Sequence, residues 1–212
     1  LEDVKLFGIQ ACGCANNHSM DFGQEGYNTT KKILEDAKVA YVEKDSTRMF
    51  TTESGLVIGM YAAAFDIKKA DMINDIQALR KSGAEIVIVA MHWGLEGKYR
   101  PTAEQERLGK LAIDSGADIV YGHHPHVLQK IEEYNGGVIM YSLGNFCFGG
   151  NTNMTDKDTA MFRQSFTIDA EGNVLDDDAV CCSYQKQSED KTEMEFASER
   201  FPEYNDVETA IN

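Results

Sequence analysis

Glu85-Ile86-Val87-Ile88-Val89-Ala90-Met91-His92-Trp93-Gly94 is the stretch on which the reading of the fold turns. Its first seven residues are nearly all apolar and rich in β-branched side chains, the composition of a strand covered on both faces of a sheet. A strand covered twice needs helices around it, so the flanks should carry helical periodicity. They do. Upstream, Leu56-Val57-Ile58-Gly59-Met60-Tyr61 reads as a second strand, and Met72, Ile73, Ile76 and Leu79 then line one helix face until Gly83 ends it. Downstream, Thr102 and Gln105 form a capping box just after Pro101. They open a helix whose Leu108, Leu111 and Ala112 face inward and which stops near Gly116. Asp118-Ile119-Val120-Tyr121 is another short buried strand. Strands alternating with helices predict an α/β fold.

Farther out, residues 24–37 read as a helix on Ile33, Leu34 and Ala37, and Val39-Ala40-Tyr41-Val42 as the strand after it. Beyond residue 126 the layout changes to strands joined by turns. Residues 127–134 and 138–141 flank the hairpin signal Asn135-Gly136-Gly137, and 161–168 turns through 170–173 into Val174-Leu175. One domain is expected over residues 1–180, with 181–212 as a loosely packed acidic tail.

The chain of 212 residues, 42% hydrophobic and 26% charged, has the balance of a single globular domain. No apolar run is long enough to cross a bilayer, and Leu1-Glu2-Asp3-Val4-Lys5 is unlike a signal peptide, so the chain as given is expected to be soluble. A net charge of -15 repels a phosphate backbone, which disfavours nucleic acid and favours bound cations or a cationic partner. The five cysteines are odd in number and form no pair of CxxC motifs, so neither a zinc ribbon nor a disulfide framework is supported.

All five histidines fall in three short segments at expected loops: Asn16-Asn17-His18, Met91-His92-Trp93 and His123-His124-Pro125-His126. In an open α/β sheet the loops beyond the carboxyl ends of the strands gather at one edge, so His92 should converge with His123, His124 and His126. Imidazole is the commonest ligand for transition metals. A His-Pro-His step lets two rings leave an extended segment on the same side, with Pro125 limiting the entropy lost. The bland alternative is that these rings only bond loop carbonyls. Asn16, Asn17, His18 and Asp21 offer carboxamides, an imidazole and a carboxylate within one turn, either as site groups or as an Asx turn with a helix cap. Trp93 is read as a pocket wall or a core residue, Glu96 and residues 98–100 as meeting an anionic substrate or, the safer reading, as a solvated loop, and Asn145 as reaching the pocket or shaping its own turn.

Ala15-Asn16-Asn17-His18-Ser19-Met20-Asp21-Phe22-Gly23, Met91-His92-Trp93-Gly94, Gly122-His123-His124-Pro125-His126-Val127 and Tyr141-Ser142-Leu143-Gly144-Asn145-Phe146 resemble, in order and spacing, the bacterial capsule-synthesis family of the CapA or PgsA type. The similarity runs over about residues 1–170. That family is associated with poly-γ-glutamate and is similar to the calcineurin-like metallophosphatases. The resemblance implies a four-layer α/β/β/α sandwich with a two-metal site at the strand ends. Carried over by motif, Asn17 resembles the metal-bridging asparagine, His18 the acid that assists the leaving group, and His92, His124 and His126 metal ligands. His123 falls where the phosphatases tend to have glycine. The family's opening strand with its Gly-Asp motif and its Asn-Leu-Glu segment are absent from this chain, so an incomplete divalent-metal site and an open sheet edge that favours a homo-oligomer are expected. The implied functions are a metal-dependent hydrolase acting on a phosphoester or an acidic polymer, or a non-catalytic capsule factor that binds polymer or organises synthase components. An extracytoplasmic, membrane-anchored parent protein is implied as well.

Overall fold

The computed structural model describes residues 8–146, 156–169, 174–187 and 192–196. The expected turn at 170–173 and the acidic stretch beyond 196 lie outside them. Chain order runs β1 (Ala11–Gly13), α1 (Gly23–Asp36), β2 (Ala40–Val42), β3 (Ser46–Thr51), β4 (Val57–Ala64), α2 (Lys69–Lys81), β5 (Ile86–His92), α3 (Ala103–Asp114), β6 (Ile119–His123), β7 (Ile131–Tyr134) and β8 (Gly137–Met140). Three more strands follow: β9 (Asp158–Ile168), β10 (Val174–Gln187) and β11 (Thr192–Phe196).

The main sheet has the order β3-β4-β5-β6-β8-β7. Its centre, β4 to β5 to β6 to β8, is parallel, and its two edges pair antiparallel. Period-2 alternation on the central strands sorts their side chains into two cores. Tyr61, Ala63, Val87, Val89 and Met91 face one way, onto Met72, Ile76 and Leu79 of α2 and Leu108, Ala112 and Ile113 of α3. Met60, Ala62, Ala64 and Ala90 face the other way, onto Ala15 and Val42. A third core joins Leu34 of α1 to Val39, Tyr41, Cys12 and Cys14 on the far side of the parallel pair β1-β2. The layers therefore run α2/α3, six-stranded sheet, β1/β2, α1: an α/β/β/α sandwich. Small residues set the spacing of its two sheets. A Cβ on Gly13 would lie 3.1 Å from both the Ala90 Cβ and the Tyr121 hydroxyl.

Arg80 locks the ends of the strands opposite the histidines. Its guanidinium donates to the carbonyls of Gly116 (2.7 Å) and Glu85 (2.8 Å) and to Asp118 Oδ1 (2.5 Å), while Asp118 Oδ2 accepts from the Val87 amide (2.6 Å). The capping box at Thr102 and Gln105 is present. At the hairpin, Asn135 (φ 49°) and Gly136 (φ 80°) both take the left-handed conformation that a tight two-residue turn needs.

One expectation gives way. The strand expected over 127–134 is regular only from Ile131, because Gln129 turns inward and Leu128 makes an isolated bridge to Leu143. Strand β10 runs as far as Gln187, and β11 pairs with it antiparallel. The alternation Thr192-Glu193-Met194-Glu195-Phe196 carries the strand signal beneath the acidic composition.

Gly122, in β6, sits where any Cβ would collide with the Tyr141 carbonyl oxygen and the Trp93 indole nitrogen. Gly122→Ala should cost about 3 kcal/mol or more, as overpacking of a filled core does. Urea denaturation measures it, and a loss of stability under about 1 kcal/mol would contradict this packing.

Candidate metal centre

Strand ends and one register build the site. His92 is the last residue of β5 and His123 the last of β6, and the parallel register pairs them directly. Their Nδ1 atoms are 2.5 Å apart. His92 Nε2 lies 2.8 Å from Asn17 Oδ1, which arrives on the loop after β1. Asn17 Nδ2 is 3.2 Å from His18 Nε2, and His18 Nδ1 is 2.8 Å from Asp21 Oδ2.

The direction of this chain follows from its last member. A carboxylate only accepts, so His18 Nδ1 carries a hydrogen and, in the neutral ring, Nε2 accepts from Asn17. Asn17 Oδ1 then accepts from His92 Nε2–H, and the His92 Nδ1 lone pair accepts from His123 Nδ1–H. The amide of His18 donates to Asn16 Oδ1 (2.8 Å), and Ser19 Oγ donates to the Cys14 carbonyl (2.6 Å), which fixes the loop. Asn16 thus makes the Asx turn while its neighbour Asn17 reaches the histidines. Asp21 does not cap α1; Phe22 takes that place without a side-chain bond.

Two further histidines complete the group. The His124 ring centroid is 4.8 Å from that of His92, and that of His126 lies 6.0 Å beyond His124. The step between them is not extended: His124 (φ 100°) and His126 (φ 58°) both occupy the left-handed region, which non-glycine residues enter at a cost. That corrects the expectation of an extended His-Pro-His, since a tight turn brings the rings together instead. Asn145 holds His126 twice, with Oδ1 2.6 Å from Nδ1 and Nδ2 donating to the His126 carbonyl at 3.2 Å. Because Oδ1 accepts, the His126 lone pair sits on Nε2. Phe65, also at positive φ, places its ring edge-on to both His92 (5.2 Å) and His124 (4.8 Å).

Glu96 stands with them. One carboxylate oxygen and one nitrogen each from His124 and His126 lie within 4.8 Å of one another. His124 Nδ1 is buried and has no hydrogen-bond partner among the described residues. An orphaned imidazole nitrogen beside a carboxylate and a second imidazole fits a divalent transition ion such as Zn²⁺, whose ligands are nitrogen and oxygen donors of this kind. The sequence alone reads Glu96 as meeting an anionic substrate or as part of a solvated loop. Its signal was a carboxylate four residues past a strand-end histidine, in a loop tightened by Gly94 and Gly97. Trp93 is not in the site. It is buried in the helix-side core, where Nε1 donates to the Tyr141 carbonyl (2.9 Å).

Burial, and then the neighbouring rings, hold His92 at about 3 and His123 at about 4. Burial lowers His124 as well, against the pull of Glu96. Neutral rings are what a metal needs as ligands.

A family model described as bacterial capsule synthesis protein PGA_cap matches residues 1–64 and, overlapping, 41–150. The capsule biosynthesis protein CapA of Bacillus anthracis is 34% identical over 185 residues, 74% of this chain and 44% of that protein. The PGA biosynthesis protein CapA of Bacillus subtilis (strain 168) is 35% identical over 167 residues, 68% of this chain and 44% of that protein. A probable polyglutamine synthesis accessory protein of Mycobacterium tuberculosis is 28% identical over 166 residues, 63% of this chain and 44% of that protein. The chain spans less than half the length of these curated relatives.

The depressed histidines set a pH dependence. Their folded values lie below the unfolded value of about 6.5, so the unfolded chain binds more protons as pH drops through that range. The stability tied to the neutral rings is complete above about pH 6.5 and is lost as pH falls towards the folded values. The melting temperature of the metal-free chain should therefore fall from pH 7 to pH 5, with a shallower slope in His92→Asn; equal slopes would contradict the assignment.

Proposed function

The chain belongs to the bacterial capsule synthesis protein family, and from that membership and the site geometry we propose that it acts in capsule or poly-γ-glutamate synthesis as a metal-dependent hydrolase. One observation supports the hydrolytic part: a Glu96 oxygen and one nitrogen each of His124 and His126, from the loops after β5 and β6, lie within 4.8 Å of one another, and His124 has a buried nitrogen with no partner among the described residues. Glu96, His124 and His126 would hold one cation, and Asn17 Oδ1 and His92 Nε2 would turn to a second beside it on giving up their mutual hydrogen bond and the His92 Nε2 proton. A divalent cation bound there supplies positive charge that polarises the scissile group and stabilises negative charge as it develops.

The residues of the chain do the rest. His18 stands on the Asn17 side of the histidine row with Asp21 on its other nitrogen. With Nε2 protonated it gives that proton to the departing oxygen or nitrogen while the hydroxyl of water adds to the other fragment and the proton water releases passes to solvent, and Asp21 stabilises the imidazolium before transfer. Asn145 fixes the His126 ring so that its lone pair is presented in one direction. The scissile bond is a phosphoester or an amide of an acidic polymer. A polyanion would approach a chain of net charge -15 through the bound cations, which screen that repulsion. An extracytoplasmic, membrane-anchored parent, working beside synthase components, belongs to the same proposal.

A second reading is a non-catalytic factor that organises the synthase. It is favoured by the accessory role printed in the name of the mycobacterial relative. The two readings separate on His18. Metal analysis and hydrolysis assays on phosphoesters and γ-glutamyl amides should show a bound divalent ion and turnover. His124→Ala should lower both by about a hundredfold. His18→Gln should keep the metal and lower kcat by about a hundredfold or more. Metal without turnover, together with synthase binding that survives His18→Gln, would establish the organising role; neither metal nor turnover would sink the hydrolase.

A further inference from the structure

Two glutamines lie where glutamines are seldom left. Gln105 is 1% exposed and Gln129 3% exposed. A capping-box glutamine at the third position of a helix normally needs only its own cap, yet Gln105 is buried and bonded onward. Its Oε1 accepts from the Thr102 amide (2.9 Å), and its Nε2 donates to Gln129 Oε1 (2.9 Å). Gln129 Nε2 in turn donates to the Lys98 carbonyl (2.7 Å), and the Gln129 amide donates to the Ser142 carbonyl (3.0 Å).

The order of donors and acceptors cannot be reversed. The Thr102 amide only donates, so Gln105 must face it with Oε1; the Lys98 carbonyl only accepts, so Gln129 must face it with Nε2. Both carboxamides are locked in one orientation by their ends, and a buried pair satisfied in this way is rigid.

This relay ends on the loop that carries Glu96. Two residues past Glu96, the Lys98 carbonyl is held by Gln129, and one residue past it the Gly97 amide donates to the Pro125 carbonyl (2.8 Å), between His124 and His126. Two residues before it, Gly94 (φ 84°) lies against the Gln105 carboxamide, where a Cβ would be 2.6 Å from Oε1. Glu96 itself is exposed. An exposed glutamate on a glycine-bounded loop has many conformations to lose before it can serve as a ligand. Anchors on both sides of it remove much of that loss in advance.

We propose that Gln129, braced by Gln105, is the positioning residue that holds the Glu96 carboxylate against His124 and His126 as a cation ligand. This rests on the reading of Glu96, His124 and His126 as a metal site, and it couples the affinity of that site to the first turn of α3. Gln129 touches no reacting atom; it acts through the Lys98 carbonyl.

The test is calorimetric titration of the metal-stripped full chain with Zn²⁺, for the wild type, His124→Ala, Glu96→Gln, Gln129→Met and the double variant Glu96→Gln/Gln129→Met. Gln129→Met keeps the volume and removes both relay bonds. It should weaken Zn²⁺ binding by about tenfold, the usual loss for an outer-shell support. The double variant should bind no more weakly than Glu96→Gln alone, because the tether has nothing left to position. Gln129→Met lowers the melting temperature of the metal-free chain in either case, because it leaves Gln105 Nε2 unpaired, but a merely structural glutamine would give additive losses of Zn²⁺ affinity in the double variant. Should Gln129→Met fail to fold, Gln129→Asn, one methylene too short to span both bonds, carries the same comparison. Wild-type affinity in Gln129→Met, or additive losses in the double variant, overturns the tether while the site stands. Zn²⁺ binding that is absent in the wild type, or unchanged in His124→Ala, overturns the site and the tether with it.

Discussion

The parallel register of β5 on β6 sets His92 beside His123, and every other group in the site is placed against that pair. The register is not free to slip. Val87, Val89 and Met91 fill the core beneath α2 and α3, while Ala90, on the other face of the same strand, fits beneath Gly13. A shift of one residue would exchange those faces and drive the His92 ring into the helix-side core. The hydrophobic pattern that folds the sheet therefore also delivers an imidazole to its polar edge. From there Asn17 bridges to His18, His124 packs on His92, and His126 and Glu96 follow along a turn and a neighbouring loop.

Much of this was legible in the sequence because it depends on period and local chemistry. The strand at 85–91, the helix with its Thr102-Gln105 box and the Asn135-Gly136 hairpin all carry short-range signals that tertiary packing had no reason to override. Convergence of the histidines was legible too, since strand ends in a parallel sheet share an edge. The illegible parts depend on contacts between distant residues. Nothing near Trp93 says that Tyr141 will accept its N–H, which draws the indole into the core. The left-handed turn at His124 and His126 is held from outside by Asn145 and Gly97. Glu96 looks like one more acid in a strongly acidic chain until the interior glutamines show that its loop is anchored.

Carboxamides recur at each of these joints: Asn16 and Asn17 on the first loop, Asn145 behind His126, Gln105 and Gln129 beneath Glu96. The choice has a physical reason. An amide donates and accepts without charge, so it can fix an imidazole tautomer or a carbonyl without adding to a net charge of -15 or forcing a buried ion. Charge is kept for Glu96 and for Asp21 at the end of the His18 chain. The result is a row in which burial favours the neutral rings of His92, His123 and His124, beside two carboxylates.

Hydrolysis at this edge of the sheet depends on those donors closing around one cation. Anomalous diffraction at the zinc edge, from crystals of the chain grown with Zn²⁺, locates that ion directly. The expected result is a peak about 2 Å from nitrogens of His124 and His126 and an oxygen of Glu96. Saturating Zn²⁺ with no peak there, or with the ion held only elsewhere on the surface, would contradict it.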